Sequence, residues 1–595
     1  MATMTVTIWP RIRAALFFAI LQAVTTANGQ EPAAPADAAI NATAPTGLRN
    51  ACPGIGEDPT GRCNRAFFQD GEFGLDIEKV SLVGPSGCFG EGPANLGQPL
   101  YAYNQRFDTC AVIVRRGTYR FGMLLPTRDL WRRKMLTVGN GGFTGGINWV
   151  DMTQGPPQGM VSVSTDTGHN AGAASMEWAK DNPEAQLDWG YRAIHGSVKA
   201  AKLLAKKYYD EGTEYSYYMG CSTGGRQGLR EIQKDQTAFD GLLIGAPAWQ
   251  TTHIMPALIQ QAVYNLPEDA PGRLQAPQWR VLTRFARQMC DAKDGLAGDN
   301  IISVDNCRIS REEFTDGVMC GTRGVDPDSC LTPEQIDVAM KVYSGYTLST
   351  GVEILPGPEP GSEADFILWL SGDLPTNFDQ QWAKYYLWTQ EAWNFKNFSD
   401  TIFYESVLRN PGRATADQYN LSEFKDHGGK IIMYHGIADG LLPVKASNRY
   451  YEETKAAMGD DMDDWFRYFQ IPGMHHCVSN PLGVDDARAP WFINGAFQQA
   501  ALFGRGYLLG HGVPGHVNEP DAHEYDALLA LMRWVEKGRA VKKIIATEWN
   551  DDPNGLGITT VNRTRPLCPY PSRAKLVDPS DVDRDPDDAA NWDCE

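Results

Sequence analysis

Basic residues are scarce in this chain: 54 Lys and Arg against 73 Asp and Glu leave a net charge of −19 over 595 residues. That balance argues against nucleic acid or an anionic membrane as partner, since both demand basic surface. Long apolar runs are missing after the first 24 residues. No later segment therefore reaches the roughly 20 apolar residues that a bilayer-spanning helix needs. No two cysteines form a CxxC pair, which argues against a cysteine zinc site. Internal repeats are also absent, so no repeat architecture is expected. What remains is an ordinary globular composition, 42% apolar and 21% charged. The length suits two to four domains, or one large α/β domain carrying an insertion.

The N-terminus reads as an export signal. Arg11 and Arg13 precede the apolar run Ala14 to Val24, and small residues follow in Thr25-Thr26-Ala27-Asn28-Gly29. The run is too short for a membrane anchor. Residues 1–29 are thus expected to be a signal peptide and 30–46, rich in Ala and Pro, a disordered lead-in. Twelve cysteines, an even number, fit disulfides in an oxidising compartment. Asn41, Asn397, Asn420 and Asn562 stand in glycosylation sequons, which fits the same route. The expected location is extracellular.

Strand-like and helix-like runs then alternate. Tyr119 to Pro126, Lys134 to Val138 and Val161 to Ser164 read as strands. Residues 188–208 read as an amphipathic helix, with Trp189, Ala193, Val198, Ala201 and Leu204 at helical spacing. Tyr215 to Met219 is a strand, a helix lies near Gly228 to Lys234, and Gly241 to Ile244 is another strand. From about 250 to 425 the rhythm is lost. It resumes with a strand at Lys430 to Gly436, a strand at Trp465 to Ile471 and a helix at Tyr525 to Lys537. The alternation predicts a mainly parallel sheet with helices on both faces. The α/β domain is expected in two parts, 47–249 and 426–595. The insertion, 250–425, would sit at the ligand-binding edge of the sheet and act as a lid.

Gly220-Cys221-Ser222-Thr223-Gly224 matches G-x-S-x-G between a strand and a helix, the context of a nucleophile elbow. A serine hydroxyl needs a base to take its proton and an acid to orient that base. Asp439 lies just past the strand at 431–435, and His475 and His476 just past the strand at 465–471, in the chain order Ser, Asp, His. Cys221 directly precedes Ser222 and Cys477 directly follows His476. A disulfide between them would tie the elbow to the histidine loop, and so selects His476 as the base over His475. For an oxyanion hole, the Thr223 amide is one candidate donor. Gly141 and Gly142, in the loop after 134–138, are candidates for the second.

These residues resemble the tannase and feruloyl esterase family, whose pattern is a Cys-Ser pair, a distant Asp and a His-Cys pair. Here they stand as Cys221-Ser222, Asp439 and His476-Cys477. Segments 220–228, 240–248, Ser164 to His169 and Arg565 to Pro571 are similar to the family too, and the resemblance runs from about residue 50 to the C-terminus. It implies an α/β-hydrolase fold with a large lid-domain insertion, and hydrolysis of phenolic-acid esters, feruloyl or galloyl. It also implies a lid-bound calcium, with Asp291, Asp294 and Asp299 giving carboxylates and Leu296 and Ile301 carbonyls. One extra residue separates Asp294 from Asp299 relative to the family spacing, which puts Leu296 most in question. Without an ion, this stretch reads as an acidic turn closed by a Cys290–Cys307 bridge. Cys320–Cys330 and Cys568–Cys594 are expected local pairs. Cys52, Cys63, Cys88 and Cys110 are expected to pair among themselves in an order left open. No organic cofactor is expected, and the sequence does not set an oligomeric state. The competing readings are a general secreted carboxylesterase or lipase, and a non-catalytic binding module derived from a hydrolase.

Overall fold

The computed structural model describes residues 57–58, 61–69, 74–84, 87–90, 102–104, 108–267, 269–294, 296, 298–299, 301–303, 307–371, 380–388, 392–478, 491–499, 522–551, 558–578 and 585–595. The expected signal peptide, the lead-in, Asn41 and Cys52 lie outside the described residues.

The main sheet has nine strands: β1 (Asp76–Val83), β2 (Thr109–Arg116), β3 (Tyr119–Pro126), β4 (Lys134–Val138), β5 (Met160–Thr165), β6 (Tyr215–Cys221), β7 (Gly241–Gly245), β8 (Lys430–Gly436) and β9 (Phe466–Ile471). Their spatial order is β1-β2-β3-β5-β4-β6-β7-β8-β9. The first pairings, β1 with β2, β2 with β3 and β3 with β5, are antiparallel. From β5 onward every pairing is parallel. Sequence reading located β3 to β9 but not β1 and β2, which form the antiparallel edge before the βα alternation begins.

Side chains alternate across the sheet with the two-residue period of a strand. On β7, Leu242 and Ile244 enter one core and Leu243 the other; on β8, Ile431 and Met433 divide from Ile432 and Tyr434 in the same way. Both faces are therefore apolar and both are covered. Helices α1 (Ala193–Tyr209), α2 (Thr223–Lys234) and α3 (Val444–Met458) pack on one face, and α4 (Ala527–Lys537) on the other. The helix expected over 188–208 opens with a wider π turn, Asp188–Arg192, before α1. The helix expected near 228–234 begins five residues earlier. Its first turn, Thr223-Gly224-Gly225, carries glycines that conceal it from any propensity argument. Asp526 interrupts the helix expected over 525–537, capping α4 by accepting from the amides of Leu528 and Leu529, each at 3.0 Å.

Parallel strands place all their C-terminal ends along one edge. The loops after β4, β6, β8 and β9 therefore converge there. Between the neighbouring strands β7 and β8 the chain leaves for some 180 residues, beginning with the helix Thr251–Tyr264. This insertion builds its own apolar cluster around Trp279, Phe285 and Phe314. A second cluster joins it to the sheet domain, with Ile254, Trp382 and Tyr386 packed beside Phe143, Trp189 and Leu442.

Candidate active site

β6 ends at Cys221, and Ser222 caps α2 at φ 62°, ψ −125°. A left-handed serine is strained, and three backbone hydrogen bonds hold it. Its N–H donates to Gly245 O at 3.0 Å, and its carbonyl accepts from Arg226 N at 3.0 Å and Ala248 N at 3.1 Å. The flanking glycines answer to close approach. A Cβ on Gly220 would lie 2.6 Å from the Gly224 carbonyl carbon, and one on Gly224 would lie 2.9 Å from Asn140 O. This is the sharp strand-to-helix turn that lifts a hydroxyl above a sheet edge.

Asp439 is wholly buried after β8. Its Oδ1 accepts from the amides of Leu441 (3.0 Å) and Leu442 (2.8 Å). Its Oδ2 takes His476 Nδ1 at 2.7 Å and His435 Nε2 at 3.0 Å. Burial works to raise this carboxyl, but the two imidazoles outweigh it and hold Asp439 well below the usual carboxylate range. The mirror effect acts on His476: burial would lower it, yet Asp439 raises it above its ordinary value, with a smaller contribution from Asp365. With Nδ1 committed to Asp439, His476 presents Nε2 along the Cys477 sulfur, 3.6 Å away.

The Cys221–Cys477 bridge is formed, with Cα atoms 5.9 Å apart. It joins two strained residues' neighbourhoods, because Cys477 also sits at positive φ, 61°. His475 turns away from Asp439. It is buried, with Nδ1 3.5 Å from Asp365 Oδ2 on the insertion helix Glu363–Trp369. Of the two histidines, His476 is thus the one joined to Asp439.

The loop after β4 is fastened to α2. Asn140 N–H donates to Gln227 Oε1 at 2.9 Å, and His169 braces the same loop through its Nε2 and Phe143 O, 2.8 Å apart. The amides of Gly141, Gly142 and Thr223 have no acceptor among the described residues, whereas those of Asn140 and Phe143 are committed. Thr223 further stands at the positive end of the α2 dipole.

His435 escaped sequence reading. It lies inside β8, where a histidine in an apolar run reads as core. Its second tie, Nδ1 to Ser447 Oγ at 2.7 Å on α3, fixes the ring that holds Asp439. Asp365 was missed as well, since no motif marks it. Its Oδ2 accepts the Gly440 amide at 2.8 Å, so the insertion grips the residue next to Asp439.

The aspartate loop lies in the insertion. Asp291 Oδ2 accepts from Gly298 N at 2.5 Å, while its Oδ1 is buried with no partner among the described residues. Asp299 accepts from Ile301 N at 2.9 Å and pairs with Arg565 at 2.9 Å. Asp294 belongs to the turn Asp291–Asp294, and its side chain, like residues 295, 297 and 300, lies outside the description. An orphaned buried carboxylate oxygen among acidic neighbours fits a hard cation. Arg565, from the segment similar to the family near the C-terminus, stacks on Trp592 at 3.9 Å and clamps this loop.

Disulfides Cys290–Cys307, Cys320–Cys330 and Cys568–Cys594 form as expected. Cys63 pairs with Cys110. Asn397, Asn420 and Asn562 are exposed. Among the described residues no helix is long and apolar enough to cross a membrane.

A family model described as tannase and feruloyl esterase matches residues 112–409 and 404–590. The chain is 31% identical over 448 residues to a probable feruloyl esterase B-1 of Aspergillus terreus, covering 74% of this chain and 77% of that one. It is 31% identical over 450 residues to feruloyl esterase C of Talaromyces stipitatus, covering 75% and 78%. Among solved structures it superposes on feruloyl esterase B from Aspergillus oryzae with a TM-score of 0.74 at 26% identity, covering 88% and 97%. The fold is accordingly an α/β-hydrolase fold.

Proposed function

Because the chain belongs to the tannase and feruloyl esterase family, and is with it a carboxylic ester hydrolase, we propose that it cleaves esters of phenolic acids, feruloyl esters foremost, through an acyl-enzyme on Ser222. The observation that carries this reading is the hydrogen bond of His476 Nδ1 to the buried Asp439, on a loop covalently tied to the elbow. His476 Nε2 takes the Ser222 proton as the oxygen attacks the ester carbonyl. Asp439 keeps the imidazole oriented and stabilises its charged form. The amides of Thr223 and of Gly141 or Gly142 receive the developing oxyanion. His476 then returns its proton to the departing alcohol. Water, activated by the same imidazole, releases the aromatic acid and frees Ser222.

The test is a panel of methyl ferulate, methyl gallate, tannic acid and a long-chain triglyceride. Turnover of methyl ferulate is expected, with the triglyceride left intact; the reverse pattern would make the protein a lipase. The base must be unprotonated to act, and Asp439 raises the His476 pKa. The kcat/KM profile should therefore fall, as pH drops, through a limb centred above the ordinary imidazole value of 6.5.

Calcium in the insertion belongs to the same reading. Asp291, Asp294 and Asp299, with the carbonyls of Leu296 and Ile301, would hold it, and it would stiffen the insertion rather than enter the chemistry. Chelation with EGTA should lower Tm, and added calcium should restore it. An unmoved Tm would remove the ion from the account. The five disulfides among the described residues support passage through an oxidising compartment. With the N-terminal signal pattern they support secretion, and the exposed Asn397, Asn420 and Asn562 would then be open to glycans.

A further inference from the structure

Away from the triad, α1 and α2 bring three ligand-type side chains together. His195 comes from the start of α1, Glu231 from the last turn of α2, and Asp235 is the extended residue that caps the C-terminus of α2. One ligand atom from each lies within 4.8 Å of the others. We propose that His195, Glu231 and Asp235 form a binding site for a divalent transition ion of the zinc type.

The state of Glu231 points to a ligand. Its side chain is 1% exposed, and burying a carboxylate is costly unless its oxygens are satisfied. His195 Nδ1 meets Oε1 at 2.8 Å, but Oε2 is buried with no hydrogen-bond partner among the described residues. No lysine or arginine among the described residues forms an ion pair with it. Lys202, a half-buried lysine nearby, gives its ammonium to Ala238 O at 2.6 Å. An ion between Glu231, His195 and Asp235 would supply the missing partner.

Access and chemistry agree with this. The side chains of His195 and Asp235 are 22% and 26% exposed, so the pair opens to solvent while Glu231 forms the floor. Asp235 Oδ1 is engaged by the Thr237 hydroxyl at 3.0 Å, whereas Oδ2 has only Lys199 Nζ at 3.4 Å. Lys199 is 53% exposed and can swing into water. Adjustments of under about 1 Å would bring the three atoms to zinc–ligand distances, leaving a fourth position for water. One imidazole nitrogen with two carboxylate oxygens suits zinc, cobalt or nickel; calcium and magnesium take oxygen alone. We assign this ion no catalytic role. Its consequence is mechanical: α2 carries Ser222 at its N-cap, so an ion here would fasten the nucleophile helix to α1.

The experiment uses the full secreted chain, stripped of transition metals and held in excess calcium so that the insertion is not perturbed. Zinc chloride is added and followed by calorimetry and by Tm, with cobalt(II) absorption reporting the coordination. One equivalent of zinc should bind, Tm should rise, and cobalt should give the intense visible bands of a low-coordinate site. Asp235→Asn and His195→Gln should each weaken binding at least about tenfold while leaving methyl ferulate turnover without zinc unchanged. Both residues are partly exposed, so folding is expected to survive, and near-ultraviolet circular dichroism checks it. No saturable zinc, or an equivalent that persists in both variants, would overturn the site.

Discussion

Ser222→Ala should lose roughly 10⁶-fold in kcat, the scale on which a triad serine acts, and still fold. The two halves of this expectation rest on different atoms. On the proposed mechanism, turnover depends on the Ser222 hydroxyl oxygen, the atom that forms the acyl-enzyme. Folding depends on the Ser222 backbone, whose N–H and carbonyl make the bonds to Gly245, Arg226 and Ala248. Alanine keeps all three. It also meets the φ of 62° at a cost similar to serine's, because the strain concerns Cβ rather than the hydroxyl. A Tm close to the parent, with hydrolysis of methyl ferulate at background, is the expected pair of results. Near-parental hydrolysis would remove Ser222 from the mechanism. A collapsed Tm would show that the hydroxyl has a structural role absent from its hydrogen bonds.

Replacing both Cys221 and Cys477 by alanine should cost stability and rate together. The bridge closes a loop of 256 residues, and on chain entropy alone its loss is worth at most about 5 kcal/mol. The rate falls for a separate reason. Ser222 and Cys477 both hold strained, left-handed conformations, one on each side of the bridge. Without it the histidine loop is held by the Asp439 contact and by packing, and small displacements of an imidazole from its hydroxyl cost on the order of 10²-fold. Kinetics taken well below the variant's Tm separate the two effects. A variant that is less stable but catalytically unchanged would mean that packing alone aligns the loops, and the bridge would then be a staple only.

The legible parts of the sequence were those written in local chemistry. β3, β4 and β8 appear within a residue of their expected bounds because short apolar runs end at Gly, Asn or Pro. The adjacency of Cys221 to Ser222 and of Cys477 to His476 carried long-range information, since a covalent bond between distant cysteines constrains their neighbours. What escaped was set by three-dimensional pairing. β1 and β2 belong to an antiparallel edge whose partners cannot be read from one strand. His435 looks like a core residue until its ring is seen between Ser447 and Asp439. Asp365 lies on a helix of the insertion that shares no motif with the triad, and its role exists only where the insertion meets Gly440.

That last contact bears on how specificity can change in this protein. The insertion reaches the residue beside Asp439: Asp365 accepts the Gly440 amide, and a Cβ on Gly440 would lie 2.7 Å from Ser362 O. On the proposed mechanism, the insertion and the acid–base pair meet across a boundary one residue wide. An exchange of the whole insertion between relatives would transplant part of the acid's scaffolding along with the binding surface. An exchange that keeps Ser362–Phe366 should therefore leave the Gly440 backbone beside Asp439 in place, and one that replaces this stretch should disturb it.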